Sequence, residues 1–246
     1  MRRFNFWKTI VCLLGIVLCG ALIYVSCKGN KTAPPNCQGI DVSHHNGRIE
    51  WERVPAVQFV YIKATEGTTY QDKDYARNID GARQNGLLVG SYHYFRTTSS
   101  VEDQFENFTS HVDKEKQDLI PMVDVEECKN WTRAEFQDSL NKFFGLVEEY
   151  YGAKPMIYSV NSFYNRYCAP KFNAYPLMIG RYGKKPPVIN GAGHYTIWQY
   201  SEKGKLSGIP KPVDFDCFHS ENGIDDIRMP GKVQGQDIGA TATATE

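Results

Sequence analysis

Eight short apolar runs recur along the chain: QGIDVS, FVYIKAT, LLVGSYHYF, LIPMVDVE, PMIYSV, PLMIGRY, HYTIWQYS and VDFDCF. Each is rich in β-branched or aromatic residues and is bounded by Gly, Pro, Asn or charge, which predicts a strand. Helix-length amphipathic stretches separate the early runs: around IEWERV, in DKDYARNIDGARQNG with its Gly stop, in SVEDQFENFTSHVDK and in TRAEFQDSLNKFFGLVEEYYG. The last opens on Thr132 with Glu135 three residues later, the pairing of a capping box. A shorter helix is predicted near NSFYNRYC, and beyond it the connections shrink to Gly and Pro loops.

Strands alternating with helices imply a parallel sheet, and eight of them imply closure. The expected fold is therefore α/β, a modified TIM-like barrel of five βα units followed by three β-strands with few or no helices. Such barrels place their chemistry at the carboxyl ends of the strands. Asp41 closes the first strand, and Asp124 and Glu126 the fourth; being two residues apart, these last two point to the same side with Cα atoms roughly 6–7 Å apart. Asp214 and Asp216 are read as closing the eighth, and closure of the barrel makes Asp214 a neighbour of Asp41. Tyr61, Lys63, Tyr92, Tyr94, Tyr158, Arg181, Trp198 and Gln199 lie in or at the ends of the other strands as candidate substrate-binding residues. Carboxylates around an aromatic-rimmed cleft suit a sugar, because they handle an oxocarbenium-like transition state while ring faces stack on pyranoses.

Charge and targeting narrow the picture. The formal net charge is zero, yet the first 31 residues hold five Lys or Arg and no acid, leaving 23 basic against 28 acidic residues beyond them. A mildly acidic body argues against nucleic acid as a partner. MRRFNFWK followed by IVCLLGIVLCGALIYVSC reads as a signal or single-span segment, with the rest of the chain exported. YVSC before Lys28 loosely resembles a lipobox, which makes Cys27 a lipidation candidate beside an uncleaved anchor. Expected organisation is a signal or anchor segment over residues 1–30, a linker over 31–37, a catalytic barrel over 38–230 and a disordered tail over 231–246. Localisation at the cell envelope, contact with the membrane through the N-terminal segment, and a monomer are the corresponding expectations. Cys37, Cys128, Cys168 and Cys217 form no CxxC pair, HExxH and HxH spacings are absent, and no metal or cofactor is expected.

Several stretches together carry a family resemblance: GIDVSHHNG, FVYIKATEG, GSYHYF, the DVE of MVDVEE, and IWQYSEKGKLSGIPKPVDFDCF. From about residue 38 to 229 the chain resembles the bacterial glycoside hydrolase family 25 lysozymes, the Chalaropsis-type muramidases. The resemblance implies a peptidoglycan hydrolase cleaving the β-1,4 bond between N-acetylmuramic acid and N-acetylglucosamine, in which Glu126 is the general acid, Asp124 its partner carboxylate, and Asp41 and Asp214 further acids of the site. Asp124 could attack as a nucleophile, steer the substrate's own N-acetyl oxygen or activate water; its two-residue spacing from Glu126 on one strand resembles enzymes that use the 2-acetamido group, which favours substrate assistance with net retention. Relatives carry a VDxN pattern where this chain has Asp216, and that extra acid is expected to lie outside the catalytic centre. Competing readings are a non-catalytic glycan-binding barrel, a chitinase-like endoglycosidase lacking the longer DxxDxDxE run, and a metal-dependent peptidoglycan deacetylase. For any one of these acids, capping a loop or pairing with a cation is as good an account as catalysis; four at strand ends of one barrel shift the balance.

Overall fold

The computed structural model describes residues 33, 34 and 36–232. The leader with Cys27, linker residues 31, 32 and 35, and the tail from residue 233 lie outside the described residues. β1 (Gly39–Val42) and β2 (Phe59–Glu66) pair in parallel. β2 opens on the apolar run FVYI and is buried along all but its last residue, as a strand covered on both faces must be. A two-residue β3 (Tyr70–Gln71), not expected from the sequence, folds back on the end of β2. β4 (Leu88–Tyr94), β5 (Met122–Asp124), β6 (Met156–Val160), β7 (Leu177–Gly180) and β8 (Ile197–Gly204) follow in parallel order, and β9 (Val213–Phe218) closes the barrel between β8 and β1.

Helices cover only part of this barrel. α1 (Tyr75–Gln84) and α2 (Val101–His111) follow β2 and β4, and α3 (Arg133–Tyr151) follows β5. In α3 the expected capping box is present: Thr132 Oγ1 accepts the Glu135 N–H at 3.3 Å and Glu135 Oε2 accepts the Thr132 N–H at 2.7 Å. Its buried Phe136, Leu140, Phe143, Phe144, Val147 and Tyr151 keep helical spacing against the sheet. α4 (Asn161–Phe163) is short and runs on as a π turn, Tyr164–Cys168. The helix expected around IEWERV is instead one 3₁₀ turn, Trp51–Arg53. Pro55 limits that segment, and Trp51 fills the space beside α1 at Gly81, where a Cβ would stand 2.2 Å from its ring. Four crossovers, not five, therefore carry an α-helix. Among the described residues no helix is long and apolar enough to cross a membrane.

β9 runs antiparallel to both its neighbours. The connection from β8, residues 205–212, is too short for the dozen or more residues of a parallel crossover. The sequence reading put Asp214 and Asp216 at the closing end of their strand; the reversal corrects this. Asp214 stands near the start of β9, which is the end that faces the mouth, and Asp216 lies one pleat deeper on the same face.

Candidate active site

The strand ends meet in a cavity of about 400 Å³ whose lining includes Asp41, Asp124, Glu126 and Asp214, the four acids expected there. Asp41 and Asp214 are directly paired across β1 and β9. Asp124 is the last residue of β5, and the backbone N–H of Val125 still donates to Tyr158 O at 2.9 Å, so Glu126 continues the alternation just past the strand and faces the same space. Glu127, the third acid of the run, turns away: Arg96 Nη1 lies 2.5 Å and Lys129 Nζ 3.0 Å from its Oε2. Three acids in four positions thus divide into two in the cavity and one neutralised outside it.

Burial pushes the four expected acids upward, and for Asp41, Asp124 and Asp214 the charge of a neighbouring acid adds to it. For Asp41 the main cause is desolvation, then the charge of Asp214. For Asp124 it is desolvation, then Glu126, against which Lys63 acts. Desolvation raises Glu126 as well, opposed by the Tyr158 hydroxyl and Lys63. Asp214 is raised to about 6, by desolvation and then by Glu202. A site of this kind keeps carboxyl groups protonated toward neutral pH, which a general acid requires.

A hydrogen-bond chain ties the two sides together. Tyr158 donates its hydroxyl to Gln199 Oε1 at 2.8 Å, and Gln199 Nε2 donates to Asp41 Oδ2 at 2.7 Å. Tyr158, Gln199 and Tyr92 line the cavity as expected. Asp124 Oδ1, buried, has no hydrogen-bond partner.

The remaining expected residues stand elsewhere. Tyr61 shares the inner face of β2 with Lys63 but sits one pleat deeper, fully enclosed, its hydroxyl donating to Ile120 O at 3.1 Å. Lys63 is buried against Glu66 Oε2 at 2.6 Å and acts on the acids through its charge. Tyr94, paired with Asp124 across β4 and β5, carries the cations of Lys63 and Arg96 on its ring at 5.2 and 4.5 Å. Trp198 is next to Gln199 on β8, so the two diverge; Trp198 lines a separate outer groove and donates its Nε1–H to Arg181 O at 2.7 Å. Arg181 likewise sits outside the cavity lining, with Nη1 donating to Pro186 O at 2.8 Å. Its neighbour Tyr182, 46 % exposed, lines the cavity instead. Parity with inward-facing Gly180 would have selected Tyr182. His45, Asn46, Glu202 and Lys211 also line the cavity without having been singled out for it; His45, Asn46 and Lys211 come from turns, and Glu202 from the end of β8, where register shifts against β9 break the alternation that spacing would predict.

Because Lys63 holds both Asp124 and Glu126 below where desolvation would take them, Lys63→Met is expected to raise both further. The acid limb of the kcat/KM profile then moves to higher pH; an unmoved limb with a lower plateau would leave Lys63 only a packing role.

An acidic, tyrosine-lined cleft at the mouth of an eight-stranded barrel defines a glycosidase-type site. The family model "Glycosyl hydrolases family 25" matches residues 40–209, and the chain belongs to that family of glycoside hydrolases. It is 38% identical over 188 residues to the uncharacterized protein YegX of Escherichia coli (strain K12), covering 74% of this chain and 69% of YegX. It is 30% identical over 199 residues to lysozyme M1 of Streptomyces globisporus, covering 74% of this chain and 67% of that one. The crystal structure of the bacterial lysozyme from Streptomyces coelicolor superposes with a TM-score of 0.68 at 29% identity, covering 76% of this chain and 94% of that one. A family 25 glycosyl hydrolase from Bacillus anthracis gives a TM-score of 0.69 at 31% identity, over 74% and 88% of the two chains. The modified barrel is thus common to this chain and its relatives.

Proposed function

We propose that the chain is a peptidoglycan muramidase that cleaves the β-1,4 bond between N-acetylmuramic acid and N-acetylglucosamine. Glu126 donates the proton to the leaving oxygen. Asp124 receives the N–H of the substrate's 2-acetamido group, whose carbonyl oxygen attacks the anomeric carbon, and water then opens the intermediate with net retention. Asp41, held by Gln199, and Asp214 keep the field around Glu126 negative, which favours its protonated form and the oxocarbenium-like transition state. Tyr182 offers an exposed ring face for stacking.

The observation that carries this reading is the unpartnered, buried Oδ1 of Asp124 beside Glu126. A buried acceptor without a partner costs free energy unless a ligand supplies the donor, and an acetamide N–H is such a donor. Relatives named lysozyme M1, autolytic lysozyme (Clostridium acetobutylicum) and N,O-diacetylmuramidase (Chalaropsis sp.) support the substrate class. Peptidoglycan lies outside the cytoplasm, which supports export by the segment over residues 1–30, with a signal, an anchor or lipidated Cys27 as the means.

The test is digestion of purified peptidoglycan, borohydride reduction and mass spectrometry of the new reducing ends, with NMR of the first-formed anomer. Reduced muramic acid ends formed with retention are expected. Reduced glucosamine ends would reverse the assignment of the sugars around the cleft, an inverted anomer would exclude the acetamido route, and binding without new ends would make the barrel a receptor.

A further inference from the structure

The cavity is crowded with acids: Asp41, Asp124, Glu126, Glu202 and Asp214 all line it. Among its lining residues Lys211 alone is a lysine or arginine. His45 adds no lasting positive charge, since desolvation, then His44 and Lys63, lower its pKa. Among the described residues Lys211 is in no ion pair, in contrast to Lys63, which is bound to Glu66. An exposed ammonium beside five carboxyl groups and tied to none of them keeps its charge for something else.

Its backbone is not free to wander. Lys211 lies between Pro210 and Pro212, which fixes φ on either side and biases Lys211 itself to an extended conformation. Asn46 Nδ2 donates to Pro212 O at 2.7 Å, while Asn46 Oδ1 accepts from the Ser43 N–H at 2.8 Å. Pro210 packs against Gly47 on the same turn. The stem of Lys211 is thereby docked to the turn after β1, directly beyond Asp41.

We propose that Lys211 is the specificity-determining residue that binds the carboxylate of the muramyl side arm, resting on the peptidoglycan reading above. Of the two sugars in the polymer, only muramic acid bears a lactyl ether at O3, ending either in a free carboxylate or in an amide to a peptide that carries carboxylates of its own. A cleft with five carboxyl groups repels such an arm. A cation held at the rim offsets that repulsion and distinguishes this polymer from a neutral chitin strand of the same linkage.

The experiment uses the full chain, as wild type, Lys211→Met and Lys211→Arg, on four polymers: peptide-bearing glycan strands, peptide-free strands with free lactyl carboxylates, the same peptide-free strands capped by carbodiimide and methylamine, and chitohexaose. Lys211→Met is expected to raise KM about threefold to tenfold on carboxylate-bearing strands, with kcat changing less. Lys211→Arg restores most of the loss, and the difference from wild type shrinks at high salt and vanishes on capped strands. A loss confined to peptide-bearing strands assigns the carboxylate to the peptide, and one on peptide-free strands assigns it to the lactyl group; both support the proposal. The same fold-loss on charged, capped and neutral polymers, or no loss at all, overturns it while leaving the muramidase reading intact. No new reducing ends from any peptidoglycan strand with wild type removes both.

Discussion

Glu126→Gln lowers kcat on peptidoglycan by roughly 10²–10⁴-fold, the range that a positioned general acid contributes, while substrate binding changes little. Glutamine keeps the shape and can still meet the Tyr158 hydroxyl, but it has no proton to give the leaving oxygen. Glu126 is raised chiefly by desolvation, against the opposing influences of Tyr158 and Lys63, so the wild-type alkaline limb follows loss of its proton. In the variant that limb disappears together with most of the rate. Steady-state assays of reducing-end release across pH read both quantities, and a variant with near-normal turnover and an unchanged alkaline limb would return the acid role to another group. An aryl glycoside with a leaving group that needs no protonation is expected to recover much of the lost rate, which separates a missing proton from a misfolded site.

The acids that serve the reaction weaken the fold as pH rises. Asp41, Asp124, Glu126, Asp214 and Asp216 all hold protons in the folded state at pH values where the unfolded chain has released them. Raised carboxyl pKa values therefore make stability greatest near and below pH 4, apart from other groups, and reduce it as pH climbs from there through the folded pKa values. For Asp214, whose pKa rises from 3.8 to about 6, linkage corresponds to up to about 3 kcal/mol over that interval, less whatever solvent screens at a partly exposed group.

Asp216 is the sharpest case. It is fully buried, neither side-chain oxygen has a hydrogen-bond partner, and desolvation followed by Asp41 and Asp214 disfavours its charge. Asp216→Asn removes the titration without changing the shape. The variant is expected to match wild type near pH 4 and to exceed it by about 1–3 kcal/mol at pH 8, roughly 2–10 °C in Tm. Thermal unfolding at several pH values measures the difference; a gap that does not widen with pH would mean that Asp216 has a proton partner in solution. The carboxyl lies outside the cavity lining, yet two acids that do line it, Asp41 and Asp214, act on it through their charge.

Much of this arrangement was legible from residue spacing. Runs rich in β-branched and aromatic residues located every strand but β3, and the Thr132 and Glu135 pair marked the start of α3. Asp124 and Glu126 converge because two residues is one strand repeat, and Asp41 meets Asp214 because a closed sheet leaves its first and last strands no other neighbours. What spacing could not supply was the third dimension of each side chain's surroundings. Tyr61 and Lys63 share a face, but depth within the barrel separates a core ring from a charge beside the acids, and depth depends on how the strands shear past one another. The helix expected at IEWERV failed because the segment is short and its Trp51 was claimed by packing against α1.

Local chemistry in the chain thus settled which segments form most of the strands, which acids are candidates, and that a sugar suits them, since these follow from periodicities of two and 3.6 and from residue type. Only the folded barrel decided that β9 runs backward, so that Asp214 opens on the cleft while Asp216 is sealed beneath it. It alone turned Glu127 out to Arg96 and Lys129, and brought Lys211 from a proline-flanked hairpin to face the acids. Those outcomes depend on contacts between residues far apart in sequence, where burial and charge are set by neighbours that no local pattern names.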